Sequence, residues 1–232
     1  MDNELLTPPG DTEEDDLIQL ARDVIGMIPF GGGIATVLFN QIVPDPFKAR
    51  LERVMAKVCL RLNELNEGKG LPWERIKSDP NFQIALVQAY RQIQETTMKE
   101  KLEAYENALV NVTLDSAITE TKITLFFNLL ERFTVLHLFL LKFLHDPATH
   151  INAGKFQLPK SSTPSHHEIF QAVIPDVLVE LDLTMLIMNE LTSYSLIEPN
   201  SFEFAIPVKT YLGGQTTRFG KEFVNFISNT KK

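Results

Sequence analysis

The chain has 232 residues, of which 44% are apolar and 22% charged, a composition typical of globular proteins rather than disordered ones. Its 30 acidic and 22 basic side chains give a net charge of −8. This charge argues against a general nucleic-acid-binding protein, because affinity for phosphate backbones comes mainly from Lys and Arg. The single cysteine, Cys59, cannot form an intramolecular disulfide, which is typical of the reducing cytoplasm.

The chain begins with an acidic segment, MDNELLTPPGDTEE, which contains two prolines. It has neither the basic and apolar regions of a secretory signal nor the arginine-rich character of a transit peptide. We predict a mobile acidic tail over residues 1–14 and a helix beginning near Asp15. The expected location is the cytoplasm.

An apolar segment from Val24 to Pro44 contains no charged side chain. As one helix it would be long enough to cross a bilayer, which takes about 20 residues. Pro29 and three consecutive glycines break it, however, so it is predicted to form two short helices joined by a glycine turn. Burial in the protein core is the favoured interpretation, and contact with a membrane or a partner stays open. The residues of this hairpin that would make such a contact are Ile28, Phe30, Gly31, Gly32, Gly33, Ile34, Val37, Leu38 and Phe39.

Apolar residues at three- and four-residue steps predict amphipathic helices through the middle of the chain. The first runs over residues 47–68, and the next begins at Pro80 with Asp79 as its cap and weakens at Thr96 and Thr97. Two further helices follow Asp115, and the second of them, TVLHLFLLKFLHD, is almost wholly apolar and therefore expected to be central. Within it, His137 is interpreted as a hydrogen-bonded core residue. Cys59 is interpreted as a buried structural thiol.

The pattern of the last hundred residues predicts two more helices. A β-hairpin formed by FEFAIPV and the turn GGQTT is expected next, followed by a helix capped by Thr217. With the helix at Thr134–His145 counted first, this order is that of a winged helix. We therefore predict a mainly α fold with a helical domain over residues 15–132 that carries the hairpin 24–44. A winged-helix-like α+β domain would cover residues 133–232 and contain a long loop over 146–167.

Several segments carry a resemblance to known proteins: KEKLEAYENALVNVTLD, LERFTVLHLFLLKFLHD, LTSYSLIEP and TTRFGKEFVNFI. In their order and spacing they resemble a group of bacterial proteins in which a helical region precedes a winged-helix-like end. That group includes the abortive-infection-alpha type of domain of unknown function. The resemblance covers roughly residues 78–228 and implies a bacterial cytosolic protein connected with phage defence. It implies no catalytic residues.

No catalytic or metal-binding motif is found in the sequence. The glycine run lacks the GxxxxGK[ST] spacing of a phosphate loop, no GxSxG occurs, and the histidine clusters at 145–150 and 166–167 lack the HExxH form. We therefore predict a protein that is not an enzyme and has no cofactor and no metal. A winged helix could also contact DNA, for which Lys209, Arg218 and Lys221 are the candidates. The predicted recognition helix contains no Lys or Arg, which argues against nucleic acid.

These observations favour a non-enzymatic bacterial protein that acts through protein–protein contacts, with a protein partner or a second copy of itself, in phage defence or a stress response. One alternative is a latent membrane-active effector that uses the apolar hairpin and lies against the inner membrane. The other is a DNA-binding regulator of the winged-helix class.

Overall fold

The structure, a computed structural model, describes residues 22–24, 45–65, 73–150, 164, 168–170, 180–199 and 212–229. Of these residues, 79% are helical. They divide into two compact units, one that ends at Glu131 and resumes at Ile227, and a second over Arg132–Phe226. The predicted tail and the apolar hairpin after Val24 lie outside the described residues.

The first unit contains α1 (Asp45–Leu65), α2 (Trp73–Ser78), α3 (Pro80–Glu95), α4 (Lys99–Leu114) and most of α5 (Glu120–Arg132). Helices α1, α3 and α4 pack against one another in all three pairs. This packing buries the apolar stripe of α1, whose members are Leu51, Val54, Met55, Val58, Cys59 and Leu62. Two amide side chains of α3 bond to the loop between α4 and α5 and to α5 itself. Asn81 donates to the carbonyl of Ile118 at 2.9 Å, and Gln88 donates to the Thr124 hydroxyl at 3.3 Å.

The helix ends in this unit confirm several local predictions. Asp79 caps α3 by accepting a hydrogen bond from the backbone N–H of Asn81 at 2.9 Å, with Pro80 in the first helical position. Helix α3 ends at Glu95, and α4 begins only at Lys99, so the chain is interrupted at Thr96 and Thr97. Cys59 is fully buried, and burial raises the pKa of its thiol to about 12, which confirms a structural thiol.

The second unit contains α6 (Val135–His145), α7 (Pro147–His150), α8 (Leu181–Ser193) and α9 (Arg218–Phe226). Helix α6 contacts each of the other three, as its apolar composition predicts for a central helix. The rings of Phe133 and Phe223 meet edge to face at 5.9 Å, and those of Phe143 and Phe170 do so at 6.2 Å. The predicted loop 146–167 begins with the helical turn α7, and most of the rest of it lies outside the described residues.

The prediction of a winged-helix-like α+β part is wrong. The described residues contain no strand or sheet, only one isolated antiparallel bridge between Ile197 and Thr216. The segment FEFAIPV of the predicted hairpin lies outside the described residues, and residues of the predicted turn GGQTT bind helix ends in addition to forming the bridge. Gln215 donates its backbone N–H to the carbonyl of Leu144 at 2.8 Å, at the end of α6. Thr217 caps α9 by accepting from the N–H of Gly220 at 2.9 Å.

Gly220 is required by a close approach between α9 and the segment before the bridge. A Cβ atom added at this position would lie 1.9 Å from the carbonyl oxygen of Leu196. Because real Cβ atoms do not come that close to backbone atoms, any side chain at 220 forces α9 away from Leu196.

We expect Gly220→Ala to lower the free energy of unfolding by about 3 kcal/mol, because the added methyl group overpacks a backbone contact that cannot yield. Urea unfolding followed by circular dichroism measures this change. Lys221→Ala, at the exposed neighbouring position, is the matched control and should leave stability within about 0.5 kcal/mol. Equal stability of the two variants would show that α9 does not lie against Leu196.

Candidate cationic groove

A groove with a volume of about 580 Å³ lies between α1 and α4 in the first unit. Five of its lining residues are cationic and two are acidic, in a chain whose net charge is −8. The groove is therefore an electropositive region of an acidic protein. Its lining residues are Arg50, Arg53, Val54, Lys57, Arg61, Thr97, Lys99, Leu102, Glu103, Glu106, Asn107 and Asn229. We call this feature the cationic groove.

Four of the cations form a stripe along α1. Arg50, Arg53, Lys57 and Arg61 follow one another at steps of three or four residues, which places them on one face of the helix. At a rise of 1.5 Å per residue, the stripe is about 16 Å long. The fifth cation, Lys99, is exposed and begins α4 on the other side of the groove.

Arg50 has a structural role within this stripe. Its guanidinium donates to the backbone carbonyls of Gln94 at 2.9 Å and Thr96 at 2.8 Å. The last carbonyls of a helix have no partner within the helix, so Arg50 satisfies groups at the C-terminal end of α3. The favourable interaction of a cation with this end of the helix adds to the effect.

Arg61 has a structural role at the other end of the groove. Its guanidinium donates to the side-chain carbonyl of Asn107 and, at 2.6 Å, to that of Asn229. Asn107 is buried and donates in turn to the backbone carbonyl of Ile227 at 3.0 Å. Asn111 does the same to Ser228 at 3.0 Å. These bonds hold the segment after α9 on the first unit.

Lys57 and Glu106 form an ion pair across the groove, with 3.1 Å between Nζ and Oε1. The Glu106 side chain is 9% exposed, whereas the Lys57 side chain is 63% exposed. Burial raises the pKa of Glu106, and the hydrogen bond and charge of Lys57 oppose that rise. Lys57 thus stabilises a buried carboxylate while most of its own surface stays in water.

Arg53, Lys57 and Lys99 are the cations through which the groove can hold an external anion, because all three are exposed. Among the described residues, Arg53 donates one hydrogen bond, to the carbonyl of Ala49 at 3.1 Å on its own helix. Lys99 makes no ion pair with any residue in the part of the chain that the structure describes. Leu102 is partly exposed and adds apolar surface between these charges, whereas Val54 lines the groove but is buried.

The second unit contains a different polar cluster, around His137. Its Nδ1 accepts from the backbone N–H of Thr134 at 3.2 Å, which places the imidazole proton on Nε2. Nε2 lies 2.8 Å from a Glu190 carboxylate oxygen and donates to it. His137 is buried and fully partnered, which confirms the prediction of a hydrogen-bonded core residue.

The order Thr134, His137, Glu190 is that of a hydroxyl, an imidazole and a carboxylate, as in hydrolases. The Thr134 hydroxyl, however, lies 2.8 Å from Nδ1 and also accepts the backbone N–H of His137, so the two residues form a capping box at the start of α6. Capping accounts for the arrangement, and the His137–Glu190 contact joins α6 to α8.

The contact residues predicted on the apolar hairpin, Ile28 to Phe39, lie outside the described residues, as does Lys209. Arg218 and Lys221 are exposed on α9, and Arg218 forms an ion pair with Glu222 at 3.4 Å. Sequence reasoning missed the cationic groove. Its signal was present on α1, where the basic residues recur with the same steps as the apolar stripe, but Lys99 joins them only in the folded chain.

No single helix in the described ranges is both long and apolar enough to cross a membrane, and α5 and α6 reach that length and composition only together, across a break. Within the same ranges, no three His, Cys, Asp or Glu residues come together as a metal-binding group. Comparison of the chain with protein-family models, with curated proteins and with solved structures gave no match.

The raised pKa of Glu106 predicts a dependence of stability on pH. Above the ordinary value of 4.5, the unfolded chain releases the proton that the folded protein still holds, so the stability contributed by Glu106 falls as pH rises through this window. Glu106→Gln removes the titration. The free energy of unfolding of this variant, relative to the unmodified protein, should therefore increase as pH rises from about 4 to 7.

Urea unfolding at a series of pH values measures this difference. Glu103→Gln, at an exposed carboxylate of the same groove, is the matched control, and its difference should change less with pH. A difference for Glu106→Gln that stays constant or falls with rising pH would contradict the assignment.

Proposed function

We propose that this protein is a non-enzymatic binding protein that acts through protein–protein contacts, and that its cationic groove receives an acidic segment of a partner. The observation that carries the proposal is the collection of five cations in one groove of a chain with net charge −8. An electropositive groove on an acidic protein directs negatively charged partners to one place, because the rest of the surface repels them.

The composition of the groove favours an acidic polypeptide over a nucleic acid. Glu103 and Glu106 lie among the cations, and the partly exposed Leu102 contributes apolar surface. A polypeptide can match this mixture with acidic and apolar side chains, whereas a phosphate backbone presents a uniform line of charge. The net charge of −8 adds a general repulsion toward long polyanions.

The contact is expected to be weak and sensitive to salt. Arg53, Lys57 and Lys99 are exposed, and exposed ion pairs contribute about 0.2–1 kcal/mol each. Screening over a Debye length of about 8 Å at physiological salt reduces their range further. Such a surface suits a reversible, regulatory contact. We propose phage defence or a stress response as the process, and the only support for it is the resemblance of the sequence to the abortive-infection-alpha type of proteins.

Replacement of the exposed groove cations tests this function. We expect the double variant Arg53→Glu, Lys99→Glu to bind a fluorescein-labelled octaglutamate peptide at least about tenfold more weakly than the unmodified protein, because attraction becomes repulsion. Fluorescence anisotropy at about 50 mM salt, where screening is weak, measures the dissociation constant.

The matched control is Arg75→Glu, Arg91→Glu, which makes the same change in net charge at two exposed residues outside the groove. Retained binding by this control, together with loss in the groove variant, supports the proposal. Equal binding by the two double variants, or tighter binding of a labelled eight-nucleotide single strand than of octaglutamate, would refute it.

A further inference from the structure

An acidic segment whose charge is opposite to that of the cationic groove is present in this chain. Glu13, Glu14, Asp15 and Asp16 follow one another ahead of the described residues. We propose that this run, residues 13–16, docks in the cationic groove of its own chain and competes there with the partner. The inference rests on the proposed function, since it assigns a regulator to the same site.

Charge supports the match between the run and the groove. The run carries four consecutive carboxyl side chains, and three cations of the groove, Arg53, Lys57 and Lys99, are exposed. Opposite charges concentrated on two surfaces attract each other and select the place of contact.

The described chain resumes close enough for this contact. Arg22 forms an ion pair with Glu52 of α1, with 3.3 Å between Nε and Oε1, and Val24 is fully buried. Glu52 adjoins Arg53 in sequence, so residue 22 is held at the level of the groove. Five residues separate Asp16 from Arg22, and the six Cα-to-Cα steps between them can span up to about 20 Å. A helix with its side chains is about 10–12 Å wide, so the run can pass around α1 to the groove.

Attachment to the same chain makes a weak contact effective. An attached segment meets its site at an effective concentration in the millimolar range, well above that of a free peptide. The run then occupies the groove for much of the time, although each ion pair is weak. A partner must displace it, which lowers the apparent affinity of the groove until the run is removed or neutralised.

Neutralisation of the run tests the inference. We expect the variant Glu13→Gln, Glu14→Gln, Asp15→Asn, Asp16→Asn to bind labelled octaglutamate about fivefold to tenfold more tightly than the unmodified protein, since the competitor is lost. The gain should disappear when Arg53→Glu and Lys99→Glu are added, because both act at one site.

A control variant separates this effect from the general change in charge. It removes four exposed carboxylates of the described chain by Glu→Gln or Asp→Asn, at Glu64, Glu120, Glu180 and Asp182. A comparable gain in this control, or no gain in the neutralised run, would overturn the inference while leaving the groove as a binding site. Absence of octaglutamate binding by both the neutralised variant and the unmodified protein would overturn the proposed function itself.

Discussion

The packing of α1 against α3 and α4 is the constraint on which the cationic groove depends. It buries the apolar stripe of α1, and each fully buried aliphatic side chain contributes about 1.5–3 kcal/mol relative to exposure. Because a helix turns 100° per residue, burial of that stripe also determines where the basic stripe must point. The groove is thus a consequence of core packing and needs no separate device to hold its cations in line.

The cations of the groove divide into two kinds with different physical roles. Arg50 and Arg61 use their planar guanidinium groups for several hydrogen bonds at once, to backbone carbonyls and to side-chain amides. Arg53, Lys57 and Lys99 are exposed to water and remain able to exchange part of their hydration for a ligand. A substitution at Arg50 or Arg61 would therefore mix structural loss with loss of binding.

Glu106 reduces the positive charge of the groove from within, because its carboxylate pairs with Lys57. Its carboxylate is buried beside Lys57, so the attraction within the pair is stronger than in water, but the burial that strengthens it also raises the pKa of the acid. An external carboxylate that approaches Lys57 meets the repulsion of Glu106. Affinity in this region consequently comes from Arg53 and Lys99 as much as from Lys57.

The sequence by itself determined most of the described helices and some of their ends, because periodicity and capping act within a few residues, as at Asp79 and Thr217. Only the tertiary structure decided the rest. The N–H of Gln215 donates to Leu144 of α6 instead of a neighbouring strand, and Lys99 meets a basic stripe that lies some forty residues earlier. Partners so distant along the chain leave no local pattern, since they are selected by which apolar faces pack together.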